Sequence, residues 1–141
     1  MIVLDTNVLS ESWRPKPAAR VLEWIRSQPA TALFTTAITE AELYYGIALL
    51  PQGRRRRALE SAVRLIFVED LEDRVLPFDS AAAREYADIA ATRRRAGRRM
   101  PEADAQIAAI ARSRGAALAT RNVADFSDCG LDIVSPWDEL G

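Results

Sequence analysis

Short apolar runs alternate along the chain with longer segments of helical periodicity. The first run, residues 2–4, is too short for a helix and has the character of a strand that is buried on both faces. Similar runs at residues 32–36, 116–119 and 131–134 predict three more strands. Residues 74–78 are predicted to form either an edge strand or an extended linker, because a proline lies within them.

Between these runs, apolar residues recur at helical spacing, and prolines or glycines mark the ends of helices. The predicted helices span residues 8–13, 18–27, 37–50, 54–67, 79–95 and 101–113. A short strand that is joined to the next one through a helix implies parallel neighbours and right-handed crossovers. We therefore expect an α/β fold with a small central parallel sheet, helices on both faces, and a single domain over residues 1–141.

The chain contains no histidine and a single cysteine, Cys129. These absences exclude a Ser-His-Asp arrangement, histidine-based zinc sites and thiolate zinc sites. The cysteine count also excludes an intrachain disulfide and suits a reducing cytosol. No apolar run approaches the roughly 20 residues of a membrane span, and no signal peptide is recognisable. We expect a cytoplasmic protein without a membrane segment; if it is a hydrolase, it must use carboxylates, hydroxyls, arginines and a hard metal ion.

The charges are unevenly distributed, although the net charge is only −1. Arginines form one run at residues 54–57 and a second run at residues 93–95 and 98–99. From residue 122 to the end, all charged residues are acidic. Each arginine run is interpreted either as a solvated helix face or as a contact for phosphate groups, and the sequence leaves both possibilities open.

Three acidic residues stand near the starts of predicted helices, and each also has a purely structural interpretation. Asp5 follows the first strand and is a preferred N-cap residue. Glu42 lies three residues after Thr39, in the spacing of a capping box. Asp104 lies in the first turn of its helix, where the helix dipole favours an acid.

Taken together, these acids predict a shared site. In a parallel sheet the carboxyl ends of the strands and the starts of the following helices lie at one edge, and Asp125 follows the strand at residues 116–119. Two carboxylates about 5 Å apart repel each other by around 3 kcal/mol at an effective dielectric constant near 20. A cluster of them requires a cation or a shared proton. Oxygen ligands alone suit Mg²⁺ or Mn²⁺.

Four short motifs follow one another in order over nearly the whole chain. They are residues 4–9 (LDTNVL), Glu42-Leu43 with Gly46, residues 103–108 (ADAQIA), and Thr120-Arg121-Asn122 with Asp125-Phe126. In these motifs the sequence resembles the PIN-domain family, and closely the VapC-type toxin ribonucleases of bacterial toxin–antitoxin modules. Ser10-Glu11 and the Trp/Arg/Pro stretch after it resemble the FitB-like subgroup.

The resemblance implies a PIN-like three-layer α/β/α fold with an acidic metal site. It makes Asp5, Glu42 and Asp104 the metal-binding acids, with Mg²⁺ as the expected ion and Mn²⁺ as the alternative. The family places an Asp or Asn at the position of Asn122, which offers only a neutral carbonyl, so Asp125 is the alternative fourth catalytic acid. The remaining polar motif residues, expected to position a carboxylate, a water or the phosphate unless they only form turns, are Thr6, Asn7, Thr120 and Asn122.

The function that the resemblance implies is Mg-dependent endoribonuclease activity, as the toxin of a type II toxin–antitoxin system. It also implies a homodimer, a cognate antitoxin whose tail covers the acidic cleft, and operator DNA bound only through that antitoxin. One alternative is an antitoxin-bound module of an autoregulatory DNA-binding complex with little catalysis of its own. Another is a metal-dependent DNA nuclease. Trp13, Trp24, Tyr44 and Tyr45 are interpreted as either core or a partner surface.

Overall fold

The computed structural model describes residues 1–138. In this part of the chain, five short strands form one parallel sheet in the order β3-β2-β1-β4-β5. The strands are β1 (Ile2–Leu4), β2 (Leu33–Thr36), β3 (Val75–Leu76), β4 (Ala117–Ala119) and β5 (Ile133–Val134). The central strand β1 lies between β2 and β4, as expected for strands that are joined through helices.

Six α-helices are described over residues 1–138. They are α1 (Thr6–Ser10), α2 (Ala19–Ser27), α3 (Ala37–Ala48), α4 (Arg54–Leu65), α5 (Ser80–Arg95) and α6 (Glu102–Ser113). Short 3₁₀ turns are formed by Glu11–Trp13, Ala30–Ala32 and Val123–Phe126, and Ile66–Asp70 forms one π-helical turn. No helix among the described residues has the length and apolar character needed to cross a membrane.

The helices cover both faces of the sheet and enclose two apolar clusters. Val3 and Leu118 belong to the cluster beneath α5 and α6, whereas Leu4 and Ala119 belong to the cluster beneath α1, α2 and α4. Successive residues of a strand point to opposite faces, so each three-residue strand supplies both cores. The predicted three-layer α/β/α arrangement with a small parallel sheet is confirmed.

Two helix predictions were wrong in detail. The helix predicted over residues 8–13 is instead α1, which begins at Thr6, followed by the separate turn Glu11–Trp13. It begins earlier because the Asp5 side chain caps it. The helix predicted over residues 54–67 ends as α-helix at Leu65 and continues as the π-helical turn.

The segment at residues 74–78 was left open between a strand and a linker, and it contains the edge strand β3. Thr35 and Thr36 of β2 pair with Val75 and Leu76. Pro77 follows directly after the last paired residue, which agrees with the confinement of proline to strand ends and edges.

The chain connections bring the starts of three helices to the same edge of the sheet. α1 and α3 begin immediately after β1 and β2 end. α5 and α6 run antiparallel, as an ion pair between their opposite ends shows. Nη2 of Arg114, directly after α6, lies 3.7 Å from Oδ2 of Asp79, directly before α5. The start of α6 therefore lies beside the end of α5, whose Arg93 contacts the segment that follows β4.

Candidate active site

Asp5 is buried at the carboxyl end of β1, and three donors from two parts of the chain hold its side chain. Oδ1 accepts a hydrogen bond from the backbone N–H of Thr6 at 2.8 Å, which makes Asp5 the N-cap of α1. Oδ2 accepts from the Thr120 hydroxyl at 2.7 Å and from the Asn7 amide at 3.3 Å. Asp5 therefore has the predicted capping role, which uses Oδ1 alone. Oδ2 is not part of the cap and is the oxygen that Thr120 and Asn7 hold.

Burial raises the pKa of Asp5 above its ordinary value, and the nearby carboxylate of Glu42 raises it further. The hydrogen bonds from Thr120, Thr6 and Asn7 lower the pKa, but they do not fully offset the loss of hydration. A residual cost of ionisation therefore remains at the end of β1, which a nearby cation would remove.

Glu42 takes no part in a capping box, so that structural interpretation was wrong. The N-cap of α3 is Thr36, whose hydroxyl accepts from the backbone N–H of Thr39 at 3.0 Å. Because α3 starts directly at the end of β2, Glu42 lies in its second turn. Its Oε1 accepts a hydrogen bond from the Thr6 hydroxyl at 2.8 Å, which ties α3 to α1 across the site.

Asp104 is the third residue of α6, and it differs sharply from Asp5. Its pKa is raised from 3.8 to about 6, first by burial and then by the negative charges of Asp5, Glu42 and Asp125. No hydrogen bond among the described residues lowers it. The structure therefore places Asp5, Glu42 and Asp125 within electrostatic reach of Asp104, although the four predicted catalytic acids come from four separate elements.

Asp125 and Asn122 lie at the rim of this cluster, after β4. Asp125 is exposed on the 3₁₀ turn, which is anchored by the fully buried ring of Phe126. Asn122 is also exposed, and its backbone N–H donates to the Thr120 hydroxyl at 3.1 Å. The negative charge of Asp125 contributes to the raised pKa of Asp104. The contact that the structure shows for Asn122 is made by its backbone N–H and not by its side chain.

The other motif residues connect the elements around Asp5. Thr120 donates to Asp5 and accepts from the N–H of Asn122, so one buried hydroxyl bridges β1 and the loop after β4. Asn7 donates to Asp5, and its Oδ1 accepts from the backbone N–H of Arg121 at 3.1 Å. The interpretation as turn-forming groups alone is wrong for Thr6, Asn7 and Thr120, because their side chains bind other elements across the sheet edge. It stays open for Asn122, whose contact with Thr120 is local.

The donor set fits a hydrated hard divalent cation. All four acidic groups offer oxygen, and the pKa of Asp104 is raised by burial and then by repulsion from the other three. Within residues 1–138, no three acidic side chains come close enough to form a closed cage for an ion. Mg²⁺ does not need such a cage, because it keeps several waters and is usually held by one or two carboxylates.

Two buried residues beside the site have contacts that the sequence analysis did not predict, although it named both of them. Thr39 is fully buried, and its hydroxyl lies 3.1 Å from that of Thr6. Its position one turn before Glu42 on the same helix face was the available signal. Arg93 is also buried, so neither interpretation of its run, solvated face or phosphate contact, describes it.

The aromatic residues considered for a partner surface divide into two pairs. Trp13 and Trp24 are partly buried against the cluster beneath α1, α2 and α4, as the core interpretation predicts. Tyr44 and Tyr45 on α3 are 40% and 67% exposed. The tyrosine pair therefore adds apolar surface to the outer side of α3.

Comparison with known proteins agrees with this architecture. A family model for the PIN domain matches residues 2–129. The VapC ribonuclease Y4jK of Sinorhizobium fredii is 44% identical over 138 residues, 98% of this chain and 99% of that protein. The toxin FitB of Neisseria gonorrhoeae is 36% identical over 139 residues, 99% of this chain and 100% of that protein. A chain in the structure of FitAB bound to an IR36 DNA fragment matches with a TM-score of 0.93 at 35% identity, covering 100% of this chain and 99% of that chain. The chain belongs to the PIN domain family, in which it is similar to the VapC and FitB toxins.

Proposed function

We propose that this protein is a metal-dependent endoribonuclease and the toxin of a type II toxin–antitoxin pair. The observation that carries the proposal is the convergence of Asp5, Glu42 and Asp104 at one sheet edge, where burial and the nearby carboxylates together raise the pKa of Asp104 to about 6. The similarity to a VapC ribonuclease and to the toxin FitB supports RNA as the substrate and the toxin role.

Asp5, Glu42 and Asp104 are the residues that would hold Mg²⁺ or Mn²⁺. When bound, such an ion supplies Lewis-acid chemistry, lowering the pKa of a coordinated water and offsetting charge on the scissile phosphate. The protein orients its own ligands beforehand: Thr120, Asn7 and the Thr6 N–H fix Asp5, and the Thr6 hydroxyl fixes Glu42. Fixed ligands reduce the reorganisation that the reaction would otherwise require.

The start of α6 offers a second group of contacts for the substrate. Within residues 1–138 no side chain caps this helix, so no described side-chain oxygen occupies the N–H groups of its first turn. Such N–H groups bind phosphate oxygens well. Asp104 lies in the same turn, so a phosphate held there would lie beside the acidic cluster.

The nuclease proposal is tested by removing the metal or its ligands. EDTA, Asp5→Asn and Asp104→Asn should each abolish cleavage of RNA by the purified protein, and excess Mg²⁺ should reverse the effect of EDTA. Glu60→Gln is the matched control, because Glu60 is an exposed acid whose described ion pair is with Arg56 on α4. Cleavage that survives EDTA or either aspartate substitution contradicts the metal mechanism.

The polymer that is cut needs its own experiment, because the same carboxylate chemistry can hydrolyse DNA. Folded RNA, single-stranded DNA and double-stranded DNA should be digested side by side with Mg²⁺. We expect cleavage of RNA alone. Cleavage of DNA at a comparable rate would favour the DNA nuclease, and cleavage of neither would favour a non-catalytic module.

The partner proposal is that a cognate antitoxin covers the acidic cleft of a homodimer in the cytoplasm and contacts operator DNA for the complex. The similarity to a chain of FitAB bound to a DNA fragment supports it. The net charge of −1 gives no indication that this chain alone binds operator DNA tightly. In a gel-shift assay the complex should bind operator DNA and the isolated chain should not.

A further inference from the structure

Arg93, in the last turn of α5, is a buried arginine for which the described structure provides no carboxylate partner. It is 7% exposed, and it takes part in none of the ion pairs formed among residues 1–138. A buried charge is normally paired, because removing it from water is costly. A side chain held in this way calls for an explanation that its exposed neighbours, Arg94 and Arg95, do not need.

The Arg93 guanidinium is satisfied by backbone carbonyls. Nε donates to the carbonyl of Arg98 at 2.8 Å, and Nη1 donates to the carbonyls of Asp125 and Ser127, both at 3.1 Å. Nη1 also lies 3.6 Å from Sγ of Cys129. Three of these four partners lie in residues 125–129, which we name the Asp125 segment.

A second arginine of the same run holds the outer side of this segment. Arg98 donates from Nη1 to the carboxylate of Asp128 at 2.6 Å and from Nη2 to the hydroxyl of Ser127 at 2.8 Å. This outer contact is exposed, and exposed ion pairs contribute little. The buried guanidinium of Arg93 is therefore the stronger of the two attachments.

The segment matters for the site because it begins with Asp125. The backbone carbonyl of this residue is bound by Arg93, while its carboxylate is exposed and within electrostatic reach of Asp104. A planar guanidinium can serve several carbonyls in fixed directions, which a lysine ammonium cannot reproduce. Arg93 itself is too deeply buried to serve as a surface contact for RNA.

We propose that Arg93 is a positioning residue that fixes the Asp125 segment, so that Asp125 rather than Asn122 completes the acidic site. This inference rests on the proposed function, in which the acidic site binds the metal ion. It assigns to the second arginine run a role inside the fold, at the end of α5.

The experiment is a double-mutant cycle between Arg93 and Asp125. Mn²⁺ affinity of the metal-free protein is measured by calorimetry, and kcat and KM for RNA cleavage are measured in parallel. We expect Arg93→Met and Asp125→Asn each to lower Mn²⁺ affinity and kcat about tenfold, the effect typical of groups that orient metal ligands. In the Asp125→Asn background, Arg93→Met should change either quantity by less than about twofold, because the group it positions is already gone.

Arg112→Met is the matched control. Arg112 also binds the segment, donating to the carbonyl of Cys129 at 3.1 Å, but at the end away from Asp125. It is partly buried and pairs with Glu85 and Asp88. We expect this variant to lose thermal stability while Mn²⁺ affinity and kcat stay within about twofold of the wild type, because Arg112 contacts none of the acids of the proposed metal site among the described residues.

Arg93→Lys shows whether the shape of the guanidinium matters and also serves if Arg93→Met does not fold. It should recover part of the affinity and of kcat. The proposal is overturned if the effect of either Arg93 variant is unchanged in the Asp125→Asn background. It is also overturned if Asp125→Asn itself leaves Mn²⁺ affinity unaltered. If the wild type cleaves no RNA but the cycle in Mn²⁺ affinity is non-additive, the proposed function fails and the role of Arg93 stands.

Discussion

The two sides of the acidic site are built differently, although both contribute a carboxylate to it. On the side formed by β1, α1 and β4, Asp5 is buried and accepts hydrogen bonds from Thr6, Asn7 and Thr120. On the side formed by α6, Asp104 receives no hydrogen bond from the described residues, and its pKa is raised to about 6. The hydrogen bonds of the protein itself stabilise the carboxylate of Asp5. The negative charge of Asp104 has no such partner among the described residues, and a proton or a cation would neutralise it.

The two aspartates therefore differ in their role in the fold, and a loss of activity on substitution would not reveal that difference. Asp5 holds α1 and the segment after β4 in place, so it belongs to the fold as well as to the site. Asp104 makes no such contact with the residues that the structure describes, so its negative charge is a cost to the metal-free fold. Stability measured without metal should therefore distinguish the two residues even where activity does not.

The largest expected effect comes from removing each carboxylate in turn. Asp5→Ala leaves the Thr6 N–H and the Thr120 hydroxyl without their acceptor, so we expect it to lower the free energy of unfolding by about 2 kcal/mol. Asp104→Ala should leave the metal-free stability at pH 8 equal or higher, because it removes repulsion and no hydrogen bond. Urea denaturation in EDTA measures both, and equal destabilisation by the two would remove the distinction between the sides.

The sequence predicted the acids of the site better than their surroundings. An apolar run ending in an acid marks the end of a buried strand locally, and the parallel topology then brings Glu42 and Asp104 to the same edge. The start of α3 at residue 37 was also predicted, but the role of Glu42 was not, because Thr39 with Glu42 also matches a capping pattern. The end of β2 decides between the two possibilities, and it depends on pairing with β1, including the bond from the Thr35 hydroxyl to the carbonyl of Leu4.

Arg93 shows the same limit more clearly. Its local sequence is nearly identical to that of Arg94 and Arg95, yet it is buried while they are exposed. Burial here depends on the Asp125 segment, which lies about thirty residues further along the chain. Composition and periodicity contain no information on such a distant contact. The sequence analysis therefore gave all arginines of the second run, residues 93–95 and 98–99, the same two interpretations.

Added metal should act mainly on the Asp104 side. At a Mg²⁺ concentration ten times its dissociation constant, we expect the wild type to gain about 1.4 kcal/mol of unfolding free energy at pH 8. The gain should be smaller at pH 5, because a pKa of about 6 keeps most of Asp104 protonated there, and it should be nearly absent in Asp104→Ala. Thermal unfolding with and without Mg²⁺ measures this, and a gain retained in Asp104→Ala would place the ion elsewhere.

The metal-free protein should also become less stable as the pH rises. The pKa of Asp104 is raised in the folded state from 3.8 to about 6, so the folded protein holds this proton more tightly than the unfolded chain does. The stabilisation is complete below the unfolded pKa and is lost as the pH rises through about 6. Allowing for partial exposure of the carboxyl, we expect a loss of about 1 kcal/mol between pH 4.5 and pH 7.5.

Asp104→Ala should reduce this slope, and Glu60→Gln should not, because Glu60 lies outside the cluster on α4. Urea midpoints across the pH range, all in EDTA, provide the measurement. A slope that persists in Asp104→Ala would assign the pH dependence to Asp5, whose pKa is also raised by burial.

The smallest expected effect concerns the hydrogen bond that links α1 to Glu42. Thr6→Val keeps the shape of the side chain but removes the hydroxyl that donates to Oε1 of Glu42 at 2.8 Å. Because this contact is exposed to solvent, we expect a stability loss of about 0.5 kcal/mol, well below that of Asp5→Ala. Cleavage should fall severalfold, since Glu42 would then sample orientations that do not face the site. Thr6→Ser retains the hydroxyl and should restore the rate; if it does not, the methyl group of Thr6 matters more than its hydrogen bond, and Glu42 is held by other means.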